Sequence, residues 1–309
     1  MSGRPAPTSP PATVVAIDLG GTAMKGGVAT AAGVLEHTGS RPTEREAGPE
    51  AVLERVGAFA AALIAAAGDG VAAVGVAVPG LVDEAAGVAR ASVNLGWHDL
   101  PLRRRLEERL ELPVAVAHDV RAAARAEAAS GAARGCRDWL LVTLGTGVGA
   151  AVTLGGRPYA GAHGTAGELG HVVVDPAGPS CACGARGCVE AIAAAPALER
   201  RYAELGATRV TARAVVARAV RGEPAAARAW GEAVEALAAG LAAYALVMDP
   251  ERIVVGGGLA EAGDALLTPL AGALAARLTF TAAPPVVAAE LGAEAGCHGA
   301  AIVAREAVA

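Results

Sequence analysis

Three cysteines and a histidine stand close together in the stretch GHVVVDPAGPSCACGARGCVE, residues 170–190: His171, Cys181, Cys183 and Cys188, spaced H-x9-C-x-C-x4-C. One imidazole nitrogen and three thiolate sulfurs complete a tetrahedral zinc shell, so a Zn²⁺ site here reads as closed and structural. Gly184 and Gly187 permit the tight turns that bring the sulfurs together. A redox pair would call for C-x-x-C or an oxidising compartment, and neither is evident. The two other cysteines, Cys136 and Cys297, stand alone, which makes chance clustering the poorer account. Glu168 lies three residues before His171, and Glu190 two after Cys188. A metal-held loop fixes both carboxylates, and carboxylates that accept from hydroxyls are a good way to read a sugar. His171 can give one ring nitrogen to the metal and offer the other to the same ligand. Taken singly, each glutamate is better explained as a solvated loop charge.

Glycine turns supply a second kind of chemistry. In DLGGTAMKGG (18–27), Gly20 and Gly21 let the backbone turn sharply and approach a ligand. Backbone N–H groups in such a turn can hold an oxyanion; Thr22 adds a hydroxyl, and Asp18 can hold a metal ion through water. LGTGVG (144–149) repeats the design with Gly145, Thr146 and Gly147. Two such turns, one per half of the chain, can face each other across a cleft and grip a polyphosphate. Neither is a Walker A loop, because no GK[ST] is present. Gly256, Gly257 and Gly258 follow a strand and precede a helix, where a nucleotide base or ribose can lie on the backbone. An ordinary turn accounts for each glycine group alone. In HDVRAA (118–123), Asp119 ends a strand and starts a helix, whose N-terminus favours the carboxylate form. A carboxylate there can take a proton from an attacking hydroxyl; a plain N-cap explains it equally well.

The elements that must position these residues alternate between strand and helix, which predicts an α/β fold. Residues 13–21 read as a strand and turn, 49–67 and 102–110 as helices, 71–80 and 112–119 as strands, with a helix directly after 119. Residues 138–154 reproduce the strand–turn–strand shape of 13–30, so the chain holds two related halves with a boundary near 119–138. Alanine-rich helices fill 190–248, a strand spans 251–256, and 284–306 give one more strand and a terminal helix. The expected organisation is a tail at 1–12, a small α/β domain at 13–118 plus 300–309, and a large one at 119–299 carrying the zinc loop 168–190.

Composition removes other classes. A chain of 309 residues with 53% hydrophobic residues can bury a large core, and a net charge of -5 without a basic block is a poor match for nucleic acid or an anionic membrane. No uncharged apolar run of about 18 residues appears; the most apolar window, 233–248, contains Glu235 and reads as a buried helix. The start, MSGRPAPTSPPA, has no apolar signal core, so the expected compartment is the cytoplasm.

Taken together, DLGGTAMKGG, VPGLVD (78–83), NLGW (94–97), HD (118–119), LGTGVG, ELGH (168–171), CACGARGCVE (181–190), GGGL (256–259) and AGCHGAA (295–301) resemble the ROK family of bacterial sugar kinases and related repressors. The match runs from about 13 to 306. The resemblance implies an actin-like ATPase (ribonuclease H-like) fold with two related domains flanking a cleft. It implies an ATP-dependent hexose kinase, above all a glucokinase, with Asp119 as the base that deprotonates the C6 hydroxyl. Asn94, His118, Glu168, His171 and Glu190 would hold the sugar, and zinc on His171, Cys181, Cys183 and Cys188 would brace it. Asp18, Gly20, Gly21, Thr22, Lys25, Gly145, Thr146, Gly147, Gly256, Gly257 and Gly258 would serve ATP, with Mg²⁺ shielding its charge. Homodimers or homotetramers are implied as well. Two positions depart from the family pattern: His118 replaces the usual Asn before the catalytic Asp, and AIAAAPA after Glu190 lacks a customary serine. Substrates such as N-acetylmannosamine, fructose or mannose therefore stay open, as does a non-catalytic sugar-binding role. A first strand near residue 13 leaves no room for the DNA-binding domain of the repressors.

Overall fold

The computed structural model describes residues 12–309; the expected tail lies, but for Ala12, outside the described residues. Contacts divide the chain into two compact units, one running to Ala126 and resuming at Glu294–Ala309, the other Glu127–Ala293. The first change of unit falls within a single helix.

In unit one, β1 (Val14–Leu19) turns into antiparallel β2 (Ala23–Ala29) and then β3 (Leu35–Pro42). Helix α1 (Pro49–Ala67) returns the chain to β4 (Ala73–Val78), parallel to β1. A small antiparallel sheet, β5 (Leu81–Asp83), β6 (Val88–Ser92) and β7 (Trp97–Leu100), intervenes with α2 (Leu102–Leu110) before β8 (Val114–His118) joins β4 in parallel. Helix α3 (Asp119–Ser130) starts at the next residue. The main sheet has the order β3-β2-β1-β4-β8.

The sequence explains these choices. β4, and β1 apart from Asp18, are apolar on both faces, as strands with covered faces must be. α1 opens with proline at its first position, presents Val52, Leu53, Val56, Ala60 and Leu63 at helical spacing, and stops at Gly68. One face of the sheet carries Val15, Ile17, Leu19, Val74, Val76 and Val78 against α1 and α2. The indole N–H of Trp97 donates to the carbonyl of Pro49 at 2.9 Å, tying the small sheet to the start of α1.

Unit two repeats the pattern. β9 (Trp139–Leu144) turns into antiparallel β10 (Val148–Leu154) and β11 (Arg157–Tyr159). After the cysteine loop come α4 (Val189–Ala193), α5 (Ala195–Glu204), α6 (Ala212–Val220) and α7 (Pro224–Met248). β12 (Arg252–Gly256) lies parallel to β9, and α8 (Asp264–Arg277) leads to β13 (Val286–Ala288) beside β12. The order β11-β10-β9-β12-β13 matches that of unit one strand for strand. α7 is long and apolar enough to cross a bilayer by length and composition, with half of that window buried inside the protein. Its buried residues, Trp230, Leu237 and Leu241 among them, pack into the core of unit two. The Trp230 indole donates to Ala265 O at 3.0 Å.

The chain then returns to unit one as α9 (Ala295–Glu306). This helix covers the second face of the first sheet, where the side chains are small: Ala16, Ala77, Ala115 and Ala117, with Ala122 of α3, meet Ala300, Ala301 and Ala304. Small residues allow a close approach, and Gly299 marks the tightest point on α3: a Cβ there would fall 1.9 Å from the Ala122 carbonyl oxygen. Gly299→Ala is expected to cost about 1–3 kcal/mol in urea unfolding, as overpacking does. An unchanged midpoint would mean that α9 can back away from α3 freely.

Candidate active site

In unit one, Asp119 is the first residue of α3 and His118 the last of β8. The His118 ring nitrogen Nδ1 accepts the Arg121 backbone N–H at 3.4 Å, a helix cap supplied by histidine. In a neutral ring the proton must then sit on Nε2, which faces Asp119 Oδ1 at 3.4 Å. Burial and the neighbouring Arg121 charge push His118 down to about 4, with Glu84 pulling the other way, so the ring is neutral near pH 7. Asp119 Oδ1 also accepts from the Val120 N–H at 2.7 Å, and its side chain remains 33% exposed.

The β1–β2 turn is held from the side. Gly20 N–H donates to Ala23 O at 3.0 Å. Buried Thr43 donates its hydroxyl to Gly20 O at 2.7 Å and its N–H to Thr22 O at 2.9 Å. Thr22 and Lys25 stay exposed, and Asn94 packs against Gly21. Asp18 lies against Gly296 at the start of α9; burial pushes its carboxyl above the ordinary range, opposed by Lys25.

In unit two the equivalent turn, Gly145, Thr146 and Gly147, joins β9 to β10 with Thr146 exposed. Ala195 N–H donates to Gly145 O at 2.9 Å, anchoring the turn to the start of α5. Glu190, in α4, accepts the Val148 N–H at 2.9 Å, and Gly147 leaves room for it, since a Cβ there would lie 2.6 Å from Glu190 Oε2. Gly257 packs on the Leu144 carbonyl at the head of the same turn. Gly258 and Leu259 belong to a single 3-10 turn, Gly258–Ala262, which with Val216 and Val220 of α6 and the Arg213–Glu261 ion pair lines a cavity of about 390 Å³. A cavity of that size suits a nucleoside-sized group.

The donor atoms of His171, Cys181, Cys183 and Cys188 all lie within 4.8 Å of one another. A tetrahedron with metal–sulfur bonds of 2.3 Å has edges of about 3.8 Å; the observed Cys183–Cys188 sulfur separation is 3.6 Å, and Cys181 Sγ to His171 Nδ1 is 3.7 Å. The donor set therefore fits Zn²⁺. His171 turns Nδ1 to the sulfurs and Nε2 toward Glu168 Oε2, 3.8 Å away. The loop is closed by backbone bonds, Cys181 N–H to Ala185 O at 2.8 Å and Val189 N–H to Val172 O at 3.0 Å. Cys188 stands immediately before α4, so one of the four metal donors adjoins the helix that carries Glu190, while Leu169 and Val189 root the loop in the core.

The ROK family model matches residues 14–307. The chain belongs to the ROK family. A glucokinase of Thermotoga maritima is 35% identical over 317 residues, covering 96% of this chain and 98% of the relative. A ROK hexokinase of Thermus thermophilus superposes with a TM-score of 0.85 at 40% identity, covering 96% of this chain and 99% of the other. A ROK glucokinase of Streptomyces griseus, crystallised with glucose and AMPPNP, gives 0.83 at 32% identity over 95% and 99% of the two chains. The fold is accordingly the actin-like ATPase fold of ROK sugar kinases, built on two related α/β units.

Within this ROK chain the structure gathers the four metal donors with Glu168, sets Glu190 on the second glycine turn, and pairs His118 with Asp119. Sequence reasoning missed Thr43, which staples the first turn, and Glu84, which accepts the His118 backbone N–H at 3.1 Å. Neither belongs to a motif of its own.

Proposed function

We propose that the protein is an ATP-dependent hexose kinase, with glucose as the acceptor. The observation that carries this reading is Asp119, a carboxylate presented at a helix N-terminus in a ROK chain whose relatives include hexokinases and glucokinases. Asp119 takes the proton as the C6 oxygen bonds to the γ-phosphorus; the bond from that phosphorus to the β,γ-bridging oxygen breaks, and ADP leaves. Glu168, His171 and Glu190 hold the other sugar hydroxyls, with His118 and Asn94 contributing from their own unit. The backbone N–H groups of the two glycine turns hold the phosphates, Asp18 and Lys25 set the local charge for Mg²⁺-ATP, and the cavity beside Gly256, Gly257 and Gly258 takes the nucleoside. Zinc on His171, Cys181, Cys183 and Cys188 would supply rigidity alone, since four protein donors fill its shell.

A coupled assay of ADP release with Mg-ATP and a panel of hexoses tests this reading. Glucose-dependent turnover is expected. Turnover with a different hexose alone would keep the mechanism and reassign the acceptor, with His118 the first residue to exchange. No turnover with any hexose, from folded zinc-replete protein, would overturn the kinase assignment.

A further inference from the structure

Glu84 directly follows β5, far in sequence from α3, and is largely buried. Its Oε1 accepts the His118 backbone N–H at 3.1 Å and Arg121 Nε at 2.7 Å, and its Oε2 accepts from Arg125 at 2.9 Å. Arg121, 2% exposed, also donates to Val82 O at 3.2 Å. The backbone around Glu84 is fixed in turn: Arg103 of α2 donates to Glu84 O at 2.7 Å and to Ala85 O at 3.0 Å. Arg125 reaches Glu306 of α9 at 3.7 Å as well.

This arrangement answers an electrostatic problem. Arg121 sits in the first turn of α3, where the helix dipole disfavours a cation. Glu84 offsets the Arg121 charge and accepts one N–H at the strand–helix corner. Burial pushes its carboxyl up, yet Arg125, Arg121 and the bonds from Arg121 and the His118 N–H outweigh it and hold Glu84 below the usual carboxylate range. The residue it grips through the backbone is the immediate neighbour of Asp119.

We propose that Glu84 is a positioning residue for phosphoryl transfer: it fixes the β8–α3 corner and thereby the direction in which Asp119 meets the acceptor hydroxyl. The proposal rests on the reading of Asp119 as the base. A misplacement of about 1 Å at a reacting group can cost about 100-fold in rate, so a corner released on one side is a kinetic defect before it is a binding defect.

The test is a double-mutant cycle on the full-length, zinc-replete enzyme with its hexose substrate. Glu84→Gln keeps the shape and removes the charge. It is expected to lower kcat about 10- to 100-fold with the KM for ATP within about twofold, and to cost nothing further when added to Asp119→Asn. Glu84→Asp, which keeps the charge, is expected to recover part of the rate and carries the same test if Glu84→Gln does not fold. An unchanged kcat in a folded Glu84 variant overturns the proposal, as does a loss that multiplies with that of Asp119→Asn. Wild-type turnover by Asp119→Asn alone is a separate result: it removes the base assignment on which the proposal stands.

Discussion

Asp119→Asn is expected to lower kcat by about 10²–10⁴-fold, the range for loss of a general base, while the dissociation constant for glucose changes only a few-fold. Asparagine matches aspartate in shape and can still accept from the Val120 N–H that Asp119 Oδ1 engages at 2.7 Å. The corner should therefore survive, and the rate should fall for want of a proton acceptor. The adjacent His118 does not take over the task. His118 is the nearest candidate, but its ring is held down to about 4 and is a weak base at neutral pH. Its Nδ1 lone pair is committed to the Arg121 N–H, and Nε2 carries the proton. Single-turnover rates together with calorimetric glucose binding separate the two effects. Full activity in the variant would remove Asp119 from the chemistry.

Stripping zinc, or replacing Cys188 by Ser, is expected to cost more than about 3 kcal/mol, a Tm drop of about 6–12 °C for a unit of this size. Cys188 is fully buried, immediately precedes α4 and stands two residues ahead of Glu190. Losing the ligand set frees the loop between His171 and Cys188 while its ends stay rooted through Leu169 and Val189. Glu190 should then lose its fixed place on the Val148 N–H, and the KM for glucose should rise more than the KM for ATP. Calorimetry on protein whose metal content has been verified before and after chelation decides the point. An unchanged Tm after complete metal removal would show that backbone bonds alone hold the loop.

Helix α1 was legible residue for residue, Pro49–Ala67, because a Gly-Pro start, apolar spacing and a glycine stop bracket it. α2 was legible for a similar reason: Leu102, Leu106 and Leu110 share one face. The two strand–turn–strand openings announced themselves through glycines between apolar runs. The three-stranded sheet β5-β6-β7 did not, since strands of three to five residues are too short to show a period. After β12 the sequence reading placed a helix at once; the chain instead makes a single 3-10 turn and starts α8 at Asp264. The four metal donors stood out because cysteine is scarce and their spacing is local. Thr43 and Glu84 were invisible because their partners lie 23 and 34 residues away, at separations that only the finished sheet brings together.

The placement of the three indoles gives the protein an optical partition. Trp97 is buried in unit one, and Trp139 and Trp230 are buried in unit two. Phenylalanine at 139 and 230 leaves an emission signal from unit one alone; phenylalanine at 97 leaves one from unit two. Denaturation followed on that pair of variants shows whether the units melt together or apart: coincident curves mark one cooperative transition, separated curves two. The zinc-dependent share should then appear in the fluorescence of Trp139 and Trp230 and be faint in that of Trp97.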